Sequence, residues 1–197
     1  MRKSIFPVII LIVLAFVACN TTSKNEINAE DYSKFQQAGD KISNITQGVL
    51  LTNVGKAMKS GGPKNAVSFC NLKVTSIVDS LNSANNCHIS RISDKNRNPE
   101  NAVQNKSDEQ IWNFFARSSS GDSPKDTLIA SEGEFIYYKP IKIAMEACLK
   151  CHGVPEQDID VETYAVLQKL YPNDLATNYK LNDFRGLWKI RFQDISN

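Results

Sequence analysis

The sequence predicts a mixed α/β (α+β) domain with long helices first and short strands after them. Two observations predict it. Apolar residues recur at helical spacing up to about residue 81, and strand-like alternation begins only at His88, interleaved from there with further helical stretches. From about Ala29 to Ser60, Phe35, Ala38, Ile42, Ile45 and Val49 share one helical face, and Gly61-Gly62 ends the run. Pro63 suits the first turn of a second helix, whose apolar face holds Ala66, Phe69, Cys70, Val74, Ile77, Val78 and Leu81. His88 to Ser93 alternates as a short strand, and Asn96 to Asn105, with Pro99, reads as an ordered loop. Ser107 with Gln110 forms a capping-box pattern opening a third helix before Ile111, Trp112, Phe114 and Phe115. Leu128–Ser131 and Glu134–Ile141 read as a hairpin turning at Gly133. Val161–Leu170 is helical, and Gly186–Phe192 alternates as a final strand.

The chemistry concentrates in Cys148-Leu149-Lys150-Cys151-His152. Two thiols separated by two residues, with a histidine directly after, form the attachment sequence for a covalent c-type haem. Residues three and four apart share a helical face, so Cys148 and Cys151 can each add to a vinyl group of one porphyrin. His152 then offers a neutral imidazole nitrogen to the iron. A structural zinc site wants four ligands, commonly from two paired clusters, whereas this chain has one such pair and only His88 as a further histidine. A thioredoxin-like dithiol fits the position but leaves His152 without a role.

The N-terminus agrees with the haem expectation. Arg2 and Lys3 precede an apolar run from Ile5 to Val17, the length of a signal-peptide core and short for a membrane span. The run ends in Ala18-Cys19, which resembles a bacterial lipobox, with Cys19 as the lipidated residue and Phe16 a departure from the usual leucine. The alternative is an ordinary cleaved signal with an incidental cysteine. The expected organisation is a signal over 1–18, a flexible polar tether over 19–30 and one domain over 31–197. Loss of Arg2 and Lys3 lowers the 23 basic residues to 21, against 21 acidic, and with no basic cluster nucleic acid is not an expected partner. The expected membrane link is lipid, in the envelope of a bacterium and facing the periplasm.

Four further stretches lead to a family: Ala66-Val67-Ser68-Phe69-Cys70; Arg91-Ile92-Ser93 with Arg97-Asn98-Pro99-Glu100-Asn101; Tyr138-Lys139-Pro140-Ile141 leading to the Cys148–His152 segment; and Tyr179 to Gly186 entering the last strand. In this order the chain resembles the PAS-like haem c domains found as periplasmic sensor regions of histidine kinases and as free-standing cytochromes. Asn182-Asp183 stands where Gly-Asp is usual, and Trp188 where smaller residues are common. The resemblance implies an antiparallel sheet flanked by helices with one covalent haem between them. It also implies His152 on one face of the iron and Cys70 on the other. Three alternatives stay open for Cys70: a buried core residue, a disulfide with Cys87, or replacement at the iron by His88 or Met58. Met145 is too close to Cys148 in sequence to cross to the opposite face. Arg91 and Arg97, with Asn98 and Asn101, are candidates for the haem propionates, since a guanidinium forks onto a carboxylate; a solvated loop is the alternative.

The expected function is a redox- or ligand-responsive cytochrome, not an enzyme, that signals to a separate redox or signalling protein. Lipid-tethered electron transfer is the alternative, and a zinc-binding structural lipoprotein the outside case.

Overall fold

A computed structural model of the chain describes residues 28–118, 125–131 and 134–192. Helix α1 spans Ala29–Asn85, and Asn28 caps it by accepting from the Asp31 N–H at 2.7 Å. Its backbone leaves helical geometry at Gly61 and Gly62, and Gly62, at φ 72°, takes the left-handed conformation that glycine adopts without a steric cost. Pro63 then starts the second arm, so the two helices read in the sequence are two arms about this break. Asn65 donates to the Ala57 carbonyl at 2.8 Å, which gives a partner to one acceptor that the break exposes.

Strand β1 is Cys87–Ile92, followed by a 3-10 turn at Pro99–Asn101 inside the expected loop. Helix α2 is Lys106–Arg117. Its cap is Asn105, two residues before the expected Ser107, because Asn105 accepts from the Asp108 N–H at 2.9 Å and donates to the Asp108 carboxylate at 2.8 Å. Strands β2 (Thr127–Ser131) and β3 (Glu134–Lys142) pair antiparallel, as the hairpin reading required, with Gly133 outside the described residues. The remaining elements are α3 (Glu146–His152), α4 (Val161–Leu170) and β4 (Phe184–Phe192).

The four strands form one antiparallel sheet in the order β1-β4-β3-β2. Alternation splits its side chains between two faces. One face carries Cys87, Ile89, Phe135, Tyr137, Trp188 and Ile190 against α1; the other carries Ile92, Tyr138 and Leu187 against Trp112 and Phe115 of α2. Beneath α2, Asp108 accepts from Tyr138 Oη at 2.8 Å and from Lys189 Nζ at 2.7 Å, so a buried cation and a buried anion neutralise each other. The sheet is thus antiparallel and flanked by helices, as expected. Residues 1–27, including the expected signal and Cys19, lie outside the described residues. Among the described residues no helix is long and apolar enough to cross a membrane.

Candidate functional site

Between α1 and the sheet lies a cavity of about 620 Å³, within the range of small-molecule and cofactor sites. The first arm of α1 lines it with Leu50, Val54, Gly55 and Met58, and the second arm with Ala66, Val67, Cys70 and Val74. Positions 66, 67, 70 and 74 recur at helical spacing, which is why one face of this arm carries both the apolar wall and the thiol. Strands β1 and β4 contribute Arg91, Arg185 and Trp188; the loop after β1 contributes Arg97; α3 contributes Cys148, Cys151 and His152.

Helix α3 is a short piece fixed from its C-terminal end. The Asn178 N–H donates to the Gly153 carbonyl at 2.8 Å and the Tyr179 N–H to the His152 carbonyl at 3.0 Å. Gly153 is needed here for space, since a Cβ would overlap Asp158, whose carboxylate accepts from the Val154 N–H at 2.9 Å. His152 Nδ1 lies 2.8 Å from the Ala176 carbonyl oxygen. A carbonyl has no proton to give, so Nδ1 carries the hydrogen and Nε2 keeps its lone pair. Burial, with the Arg97 and Arg185 cations beside it, holds the imidazole pKa well below its usual value, so the ring is neutral. Tyr179 stands edge-on to it at 6.3 Å between ring centres.

Cys70 and Cys151 are protonated as they stand. Burial pushes the Cys151 thiol up to about 11 and raises Cys70, while Arg91 and Arg97 pull Cys70 the other way. Cys70, Cys87, Cys148 and Cys151 are all free; Cys87 is buried in the core against α1 and is not joined to Cys70. His88 is exposed on β1 and does not line the cavity, whereas Met58 does. Arg91 packs over the Trp188 ring across the strand pair, with its charge 5.8 Å from the ring centre. Among the described residues no three His, Cys, Asp or Glu side chains converge to hold a bare metal ion.

A family model described as Tll0287-like matches residues 17–193, nearly the whole chain. The chain belongs to the Tll0287-like family. No curated protein matches the sequence. The crystal structure of the cyanobacterial haem protein Tll0287 is similar in fold, with a TM-score of 0.59 over 87% of this chain and 99% of that one, at 20% identity.

In this Tll0287-like chain the structure thus brings together five of the sequence candidates for the cavity, Cys70, Arg91, Cys148, Cys151 and His152, and places Arg97 among them with protein partners of its own. Sequence reasoning assigned no role to three residues of the site. Arg185 donates to Ser93 Oγ at 3.0 Å and to the Lys95 carbonyl at 3.2 Å beside the cavity. Asp174 acts through a carboxylate shared between Arg97 and the Ala176 N–H, and Ala176 through its carbonyl, neither of which composition or spacing marks. The readable signal for Arg185 was its neighbour Gly186, where an added Cβ would stand 2.9 Å from the Ile92 carbonyl oxygen as β4 closes on β1.

Proposed function

We propose that this protein is a cell-envelope monohaem c-type cytochrome that acts as a redox- or ligand-responsive sensor, without catalytic activity of its own. One observation carries the reading: Cys148, Cys151 and His152 face the same cavity as Cys70, and His152 is neutral with Nε2 free. The residues fit a haem in kind as well. The walls are apolar, the described cations Arg91 and Arg185 face the space without an ion-pair partner, and the thiols for covalent attachment lie on one turn of α3.

Cys148 and Cys151 would hold the group through thioether bonds, His152 and Cys70 would be donors to its iron, and Arg91 and Arg185 would meet its carboxylates. When bound, the haem supplies one-electron chemistry at iron, with a potential set by its axial ligands and by burial. The chain's own work is orientation and proton control. The Ala176 carbonyl fixes which imidazole nitrogen is bare, and Arg91 and Arg97 favour loss of the Cys70 proton that burial opposes. Residues 1–18 would direct export, and lipidated Cys19 would anchor the domain through the 19–30 tether, facing the periplasm. The partner would be a separate redox or signalling protein rather than nucleic acid.

One observation favours simple electron transfer as the second reading. Ala144, Met145 and Ala147 line the cavity and are exposed, so its Cys148 end opens towards solvent, where a redox partner could approach. A haem-stained denaturing gel and oxidised and reduced visible spectra, from a host that attaches c-type haem, test the reading. Wild-type protein is expected to stain, and a Cys148→Ser/Cys151→Ser variant to lose the stain. An unstained wild-type chain would sink the proposal. Ready binding of carbon monoxide or nitric oxide favours sensing, and a six-coordinate iron in both oxidation states favours electron transfer.

A further inference from the structure

Arg97 sits where three backbone stretches meet. Its Nε donates to Asp174 Oδ2 at 3.0 Å, and its Nη2 donates to the Cys151 carbonyl at 2.6 Å and the Ala176 carbonyl at 3.2 Å. The two charged side chains are 13% and 9% exposed, so this is a nearly dry ion pair with most of its hydrogen-bonding capacity engaged. Asp174 grips the same residue from the other side, because its Oδ1 accepts from the Ala176 N–H at 2.8 Å. Ala176 is fully buried, and its carbonyl is the acceptor for His152 Nδ1–H. Arg97 therefore already has a carboxylate, whereas Arg91 rests on the Trp188 ring and Arg185 on a hydroxyl and a carbonyl.

We infer that Arg97 is a positioning residue for His152. The Arg97–Asp174 pair fixes the Ala176 carbonyl, the carbonyl fixes the tautomer and plane of the imidazole, and cofactor carboxylates are left to Arg91 and Arg185. A guanidinium is required, since an ammonium cannot reach a carboxylate and two carbonyls in one planar fork. The inference rests on the haem reading, and a ligating histidine is oriented by the partner of its other ring nitrogen.

The test uses haem-loaded full-length protein in three forms beside the wild type: Arg97→Lys, Arg97→Gln and Asp174→Asn. The low-temperature electron paramagnetic resonance of the ferric haem reports the imidazole plane through its g-values, and redox titration reports charge. Positioning predicts that all three variants shift and broaden the g-values in the same way, Arg97→Lys included. A mere charge effect predicts wild-type g-values in Arg97→Lys, with potentials displaced in opposite directions by Arg97→Gln and Asp174→Asn; wild-type g-values in Arg97→Lys overturn the inference. If Arg97→Gln fails to accumulate, the near-isosteric Asp174→Asn decides alone, because it leaves one oxygen where Arg97 Nε and the Ala176 N–H each need an acceptor. A wild-type protein without covalent haem overturns the function reading itself, and this is seen before any variant is measured.

Discussion

At the scale of single residues, the site turns on a thiol that burial keeps protonated and two nearby cations that oppose burial. Cys70→Ser replaces a polarisable sulfur with a hydroxyl that is a far weaker iron donor. Its ferric spectrum is expected to move to a high-spin or water-bound form, with loss of any sulfur-to-iron charge-transfer band, while covalent attachment persists. An unchanged ferric spectrum would take Cys70 off the iron and leave Met58 as the remaining candidate that lines the cavity. Legibility at this scale followed chemistry. Cys148, Cys151 and His152 stood out because the proposed haem attachment would demand those residue types at that spacing, and the structure sets all three on one cavity. Asp174 and Ala176 were not, since one contributes through a distant arginine and the other through a carbonyl that every residue type possesses.

At the scale of elements, the periodicities in the sequence correspond closely to the helices and strands found, and the misses have local causes. The α2 cap moved to Asn105 because a side-chain amide there both accepts from and donates to Asp108, which Ser107 would not match. The close approach of α1 to the sheet was hidden in Gly39, whose missing Cβ makes room for the Tyr137 ring. Gly39→Ala is therefore expected to destabilise the fold by about 1–3 kcal/mol through overpacking, despite alanine's better helix propensity. Chemical denaturation of the two proteins would measure it. A neutral or stabilising alanine would mean that α1 can shift outward without loss.

At the scale of the molecule, charge pairs tie α1 to the sheet and so make stability depend on pH. Hydrogen bonding from Lys139 holds the Asp40 carboxyl below its ordinary value of 3.8, with the Lys139 and Lys125 charges adding to the effect against burial. A carboxylate with a depressed folded-state pKa contributes stability that is fully present above its unfolded value and is lost as pH falls through the folded one. Thermal melts between neutral pH and about pH 3 should thus show the gap between wild type and Asp40→Asn closing only in the acid range. A gap unchanged down to the lowest pH would assign the difference to shape rather than ionisation. The strand order has a consequence in time as well as space. β4 is the last strand in the sequence yet stands between β1 and β3, so neither can find its inner neighbour until it exists. On a chain made from its N-terminus, Cys148, Cys151 and His152 leave the ribosome ahead of β4. The three residues therefore precede the strand that completes the sheet, and the wall that β4 gives the pocket is the last to be added.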